Sequence, residues 1–431
     1  MIRSLHFIVP FVAAGVLLSN AQAQTPRRLT LQEAKEIALK QHPRITVAEL
    51  RALAAQQAVK EVRAGFFPTA TINVTAAGAD SANTRIAAGA INNPTVFERN
   101  AEGITISQLI TDFGRTWDLS KTAKLRAQAE RMNSSAAREQ ILLEVNAAYF
   151  SALESQSVLQ VAEETAKSRQ LFLNQVTSLA TNKLKSELDV SFARVDFEQA
   201  RLLRAKASND LQAAFATLST LLGEREPQTF VLVDEEMPKP MEKDAHQLLQ
   251  IAMQQRPDLA GLRFQRDAAK EFALAERKVN YPTISAIGVG GIVPVGDPRL
   301  PDRYAAAGVN LSVPLFAGGL YQGRKEEAAL RAKAAEETLR DEENNIARQV
   351  QISKLNMDYA FERVDLTEQL LKNARQAFGL AQTRFKLGST SIFELSQAEL
   401  SRTSAEIAQA NAKYDYMVQR AALDFQIGNL H

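Results

Sequence analysis

Cysteine is absent from all 431 residues, which excludes disulfides, thiolate metal sites and lipidation at an N-terminal cysteine. Stability must come from packing alone. Histidine is nearly as scarce: His6, His42, His246 and His431 stand far apart, without metal-ligand spacing. His42, directly before Pro43, reads as a helix boundary. The seven methionines are scattered, which argues against a methionine pathway for copper or silver. Aromatic residues make up only 6% of the chain, with one tryptophan, Trp117. It follows a strand-like stretch and suits either an interfacial anchor or a packed junction. No sign of charge is in excess, since the formal net charge is +2, so nothing points to nucleic acid or an anionic partner.

Long apolar runs are missing as well. The one extended stretch, Phe7 to Leu18, follows Arg3 and precedes Ala21-Gln22-Ala23. This is the pattern of a secretory signal peptide over residues 1–23, too short for a membrane span. Nothing later approaches the roughly 18 consecutive apolar residues of a transmembrane helix. Removing the signal takes one arginine, leaving about +1 from +2. No nucleophile, base and metal converge, so no enzyme activity, catalytic residue or cofactor is assigned. "GGLYQGRK" from Gly318 approaches a phosphate loop, but Arg324 stands where its lysine belongs. "GVGG" at Gly288 lies in a strand-like stretch and is no dinucleotide fingerprint.

What the chain does have is a sequence written twice. "IALKQHP" at Ile37 matches "IAMQQRP" at Ile251, and "RAGFFPT" at Arg63 matches "RKVNYPT" at Arg277, both 214 residues apart. Farther on, Gly103 pairs with Gly308, Ser107 with Ser312, Gly114 with Gly319 and Gly223 with Gly428, all 205 apart. The first copy therefore carries nine extra residues (214 − 205), which fall in the loop "ADSANTRIAAGAINNPTVFERN". The expected organisation is a first repeat over 24–223, a Pro-rich acidic linker over 224–243 and a second repeat over 244–431.

Each copy reads helix, helix, strand, strand, helix, helix. Thr30 and Glu33 form a capping box ahead of the first helix, and Pro43 opens a second that runs to about Gly65. Strict alternation marks strands at about 68–79 and 101–111, and at 282–292 and 304–315 in the second copy. Ala70, Ile72, Val74 and Ala76 share one face, and Thr69, Thr71, Asn73 and Thr75 the other. From Thr116 to about Thr177 no proline or glycine occurs, and Leu142, Val145, Tyr149, Ala152, Leu159 and Ala162 recur at heptad steps. Such a helix is roughly 90 Å long, and two shorter helices in series match its length. In the last helix Leu400, Ile407, Tyr414 and Ala421 lie seven apart.

Strands of nine to eleven residues with one polar and one apolar face suit a bilayer-spanning barrel. Four strands cannot close one, and an open sheet leaves unpaired edges that lipid does not tolerate. Strands in a membrane therefore require several subunits sharing one barrel of eight, twelve or sixteen strands. The alternative is an exported soluble coiled-coil scaffold with a small local sheet.

From "LTLQEAKEIALKQHP" through "VPLFAGG" to "QRAALDFQIG", in order and in both copies, the mature chain resembles the TolC-like outer membrane efflux proteins. The resemblance implies a mainly α fold with a small β part: duplicated long helical hairpins forming a periplasmic tunnel, and four strands per chain in a twelve-stranded trimeric barrel. It implies a homotrimeric exit duct of a tripartite efflux or type I secretion system in the outer membrane. Its partners would be outer membrane lipid, a periplasmic adaptor (membrane fusion) protein and an inner-membrane transporter of RND, ABC or MFS type. "RFKLGSTSIFELSQAEL" resembles the family's tip. That assigns Arg384, Gly388 and Ser389, with Lys183 of the first repeat, to adaptor docking. Glu394 matches the first of two tip aspartates and Gln397 replaces the second. Phe385 stands where the family's tyrosine bonds an acid matching Asp189. Phenylalanine cannot make that bond, so closure of the aperture rests on other contacts. Asp189 and Glu394 would add a ring of acid favouring cations.

Overall fold

The computed structural model describes residues 27–77, 99–295 and 301–430. The expected signal peptide and the tip of the nine-residue insertion lie outside them. Element order is β1 (Arg27–Leu29), α1 (Leu31–Gln41), α2 (Pro43–Arg63), β2 (Thr69–Ala77), β3 (Arg99–Thr111), α3 (Arg115–Thr181) and α4 (Glu187–Leu221). There follow β4 (Phe230–Leu232), α5 (Ala245–Gln255), α6 (Pro257–Arg277), β5 (Thr283–Val295), β6 (Arg303–Ser312), α7 (Leu320–Lys386) and α8 (Ile392–Gln426). Corresponding helices of the two repeats have equal lengths: 11 residues for α1 and α5, 21 for α2 and α6, 67 for α3 and α7, and 35 for α4 and α8.

Local chemistry sets the boundaries. Thr30 Oγ1 accepts from Glu33 N at 3.2 Å, while Thr30 N donates to Glu33 Oε2 at 2.9 Å, closing the capping box. His42 ends α1 and caps α2, its Nδ1 accepting from Arg44 N at 3.2 Å. Burial holds its pKa below the usual histidine range, which keeps that acceptor unprotonated. Gly223 and Gly428, at the ends of α4 and α8, have φ of +81° and +72°. A Cβ there would come within 3.0 Å of Gln41 O and 2.9 Å of Gln255 C respectively. Only glycine meets both demands.

The helices stand in columns. α2 and α4 follow one another along α3, and α6 and α8 follow one another along both α3 and α7. At 1.5 Å per residue α3 and α7 are about 100 Å long. The resulting sheet of helices has α2/α4 at one lateral edge and α7 at the other. Core packing concentrates midway, where α1 covers Ile141 to Leu153 of α3 and α5 covers Leu339 to Met357 of α7. The heptad residues Val145, Tyr149 and Ala152 are fully buried there, and Tyr414 and Ala421 of α8 are buried as well. Leu400 departs from the expected stripe: it is 53% exposed, because Leu395 and Glu399 occupy the inward face of that turn.

The span expected as linker holds β4, which pairs in parallel with β1 and ties the start of the first repeat to the joint between repeats. Tyr149 locks this pair. Its Oη lies 2.7 Å from Val233 O and 3.0 Å from Leu29 O and accepts from Val233 N at 3.2 Å. Burial pushes the phenol up to about 12, so it remains a donor.

β2, β3, β5 and β6 form one antiparallel sheet in that order. β6 stops at Ser312, short of the expected residue 315, because Pro314 has no N–H to offer. Residues opposite one another in an antiparallel pair share a face. Ile72, Ile104, Gly290 and Ala305 line up across the sheet, as do Ala70, Ile106, Gly288 and Ala307. The other face carries Thr69, Thr71, Asn73, Thr105, Ser107, Ser285, Asn310 and Ser312. The apolar face is bare: Ile72 is 73% exposed, and Val74, Ile104, Val309 and Leu311 are likewise uncovered.

Replacing Tyr149 with phenylalanine should lower stability by about 1–3 kcal/mol, the cost of stranding buried backbone partners. A thermal or urea melt of the detergent-solubilised Tyr149→Phe protein checks this, and an unchanged midpoint would contradict the role given to the hydroxyl.

Candidate functional site

The two helical hairpins turn at the end remote from the sheet, and both turns are built alike. α3 ends with Lys183 N donating to Ala180 O at 2.9 Å and Leu184 N to Leu179 O at 2.9 Å. α7 ends with Gly388 N donating to Phe385 O at 3.0 Å and Ser389 N to Arg384 O at 2.9 Å. Each is a Schellman ending with a left-handed residue, at φ +59° for Lys183 and +72° for Gly388. Lys183 holds a conformation that costs a non-glycine residue roughly 1 kcal/mol. Its backbone reproduces the other tip while its side chain does not. Arg384 reaches back to Ser389, donating to its carbonyl at 3.4 Å.

Ser186 and Ser391 then cap α4 and α8, and the acids three residues on are Asp189 and Glu394. Asp189 completes a capping box, accepting from Ser186 N at 3.0 Å and from Ser186 Oγ at 2.8 Å. The backbone bond, then the hydroxyl, hold its carboxyl below the usual range. Glu394 does not fold back in this way; its carboxylate takes the hydroxyl of Thr390 and stays exposed, as does Gln397 one turn on. Of the two acids, Glu394 is the freer.

Phe385 joins the repeats through apolar and cationic contacts. Its ring lies 5.6 Å from that of Phe172 on α3, and Lys185 Nζ sits 4.8 Å above its centroid. The ring belongs to a cluster with Val176 of α3, Ala193 of α4 and Ile392 of α8. The structure thus brings Phe385 against the first repeat at Lys185 and Phe172.

Farther from the tips is a group that the sequence reading missed. Arg169 on α3 is buried, with Nη1 2.8 Å from Asp196 Oδ2 on α4 and 3.2 Å from Glu399 Oε2 on α8. Its Nη2 donates to Ser396 O at 3.3 Å, Ser396 bonds Asp196, and Ser168 Oγ donates to Glu399 Oε1 at 3.1 Å. Arg169 stands seven residues after the buried Ala162. A charge on the apolar stripe was the available signal.

Substituting Arg169 with methionine leaves the buried Glu399 and the half-buried Asp196 without their shared cation, and should cost about 3–5 kcal/mol. The measurement is the melting midpoint of the Arg169→Met protein; a loss below about 1 kcal/mol, typical of a surface pair, would show that the network is solvated.

The outer membrane efflux protein family matches residues 35–224 and 248–429, one stretch for each repeat. The chain is 21% identical over 412 residues to outer membrane protein TolC of Escherichia coli, covering 91% of this chain and 81% of that protein. It is 26% identical over 309 residues to the alkaline protease secretion protein AprF of Pseudomonas aeruginosa, covering 70% of this chain and 63% of that one. The solved structure of outer membrane protein VceC from Vibrio cholerae superposes with a TM-score of 0.77 at 19% identity, over 92% of this chain and 96% of that one. Duplicated hairpins, a four-stranded sheet with a bare apolar face and a family match through both repeats lead to one conclusion: the chain belongs to the outer membrane efflux protein family.

Proposed function

We propose that three copies form a passive exit duct, a twelve-stranded outer membrane barrel continuous with a periplasmic tunnel of helices. A periplasmic adaptor would join it to an inner-membrane transporter of RND, ABC or MFS type. The observation that carries this reading is the open sheet. β2 and β6 are edge strands, the face they bound is apolar and bare, and neither edge can lie unpaired in lipid. β2 and β6 run in opposite directions. A head-to-tail ring therefore joins them antiparallel at every subunit boundary. The helices support the same closure: Val47, Leu50 and Leu53 on α2, and Leu330, Leu355 and Leu366 on α7, lie exposed at the two lateral edges.

The tips form the entrance. Arg384, Gly388 and Ser389, with Lys183 in the first repeat, would meet the adaptor. A Cβ at Gly388 would meet nothing within 4 Å, so this turn is free for an incoming partner. Phe385, held by Phe172 and Lys185, would keep the repeats together when the aperture is closed. Of the predicted acid ring, Glu394 is the principal member, since the Asp189 carboxylate is engaged by Ser186; Gln397 lines the next turn.

The native mass of the mature protein, extracted in detergent from outer membranes, tests the duct: three copies are expected, and a detergent-independent monomer would remove barrel and tunnel together. In single-channel recordings under a salt gradient, Glu394→Gln should move the reversal potential toward zero. An unchanged potential would take Glu394 out of the conducting path.

A further inference from the structure

The internal duplication supplies a template for contacts between copies. Within one chain, β3 of the first repeat pairs with β5 of the second; in a ring, β6 of one copy would pair with β2 of the next. The two seams are related by moving β3 and α3 forward 205 residues and β5 and α6 back 214, the offsets that relate the repeats. We infer that the seam between copies reuses the register of the internal seam and is clasped at the barrel–tunnel junction by Phe316 of one copy seated on Phe67 of the next. This rests on the ring proposed above.

Three observations carry the inference. First, the faces agree. The internal pairs Ile104–Gly290, Ile106–Gly288 and Ser107–Ile287 become Val309–Ala76, Leu311–Val74 and Ser312–Asn73. The first two join residues of the bare apolar face and the third joins residues of the polar face. A slip of one residue would reverse every such match.

Second, the two ion pairs of the internal seam nearest the sheet are replaced on both sides at once. There Arg115 bonds Glu276 at 2.9 Å, and Lys278 lies 2.6 Å from Asp118. The equivalent positions are Leu320 with Val62, and Gly323 with Ala64. Where one seam sets charge against charge, the other sets apolar or small residues against each other. The third pair of the internal seam, Lys121 with Glu271, becomes Glu326 with Gln57, so one charge remains farther down the helices.

Third, an aromatic contact is available. Phe113 packs edge-on against Tyr281 in the internal seam, with ring centroids 6.3 Å apart. Tyr281 corresponds to Phe67, but Phe113 corresponds to Gly318. The aromatic residue of the second repeat stands two positions earlier, at Phe316, in the segment that leads from β6 to the turn before α7. Phe316 is 89% exposed and Leu315 90%, with no described residue of their own chain covering them. Phe67 borders an open cavity of about 670 Å³, walled by Val59, Phe66 and Trp117, which has room for such a side chain.

The absence of cysteine permits a direct test. The pair Asn73→Cys with Ser312→Cys should form disulfides between copies and give a covalent trimer on a non-reducing gel, reversed by reductant. Asn73→Cys with Leu311→Cys, which the register places on opposite faces, should not. Cross-linking of the second pair as well as the first would overturn the register. No cross-link from the first pair, in a protein whose unmodified native mass is three copies, would overturn the seam while the ring stands; a native mass of one copy would fail the ring itself. For the clasp, Phe316→Ala and Phe67→Ala should each destroy most of the trimer at a temperature where the unmodified protein retains it, and the double variant should be no worse than the poorer single. Additive losses, or no loss, would overturn the contact. Loss from Phe67→Ala alone would also overturn it, assigning the cavity to lipid.

Discussion

The backbone hydrogen bond in a medium without water is the constraint on which this structure depends. An N–H or C=O exposed to hydrocarbon costs several kcal/mol, and β2 and β6 each present a row of them. A single copy can place its sheet in the bilayer only by giving those edges a partner. The outward apolar face makes the same demand from the other side, since Ile72, Val74, Val309 and Leu311 cannot remain in water. In the proposed ring, neighbouring copies supply those partners. Because each repeat contributes an antiparallel pair, identical copies can join without a parallel mismatch.

The helical body solves a different problem, that of continuing the wall over about 100 Å. A continuous 67-residue helix is rigid along its length, while its partners are broken in two, 21 residues and 35. The break falls midway, where α1, α5, β1 and β4 pack against the long helices and Tyr149 binds the joint between repeats. Toward the tips the apolar packing thins to one small cluster around Phe385, and the buried link between repeats is ionic, Arg169 with Asp196 and Glu399. A buried charge network is geometrically demanding, because its members must all be satisfied together. It favours one relative placement of the two hairpins just above their tips.

Much of this was legible in the sequence, for physical reasons. The repeat, the strands and the long helices follow from side-chain period, which is strongest where one face is buried or faces lipid. The capping box at Thr30 and Glu33 and the glycines paired across the repeats follow from backbone chemistry that few residues satisfy. Features set by tertiary context were not legible. β1 and β4 are three residues each, too short for a period, and exist because Tyr149 and the mid-body core hold them. Leu400 kept the heptad step but turned outward where Glu399 took the inside. Lys183 gave no hint of a left-handed turn, because its residue type disfavours one; the equivalence to Gly388 was the only pointer. Arg169 carried one signal, a charge seven residues after Ala162, but its partners Asp196 and Glu399 are set by the packing of three helices.

The repeats share a backbone and differ in their seams and tips, and those differences set the symmetry of the assembly. Six identical units would close a ring with one kind of boundary. Here one boundary is internal and ionic, Arg115 with Glu276 and Lys278 with Asp118, and is made as soon as the chain folds. The proposed boundary between copies puts Leu320 by Val62, and exposed aromatic and aliphatic groups at Phe316 and Phe67, so it is driven by burial. Since charge rejects wrong pairings more strictly than apolar contact does, the two kinds of seam also discriminate against each other. Had both been ionic, the second repeat's edge could compete for the first repeat's charges in its own chain. In the proposed ring, an adaptor would meet two tips of the same backbone shape in alternation, one with a glycine turn beside Arg384 and one with Lys183. Such a surface can be bound by a protein that either follows all the tips or reads every second one, and the choice lies in side chains, because the backbones are alike.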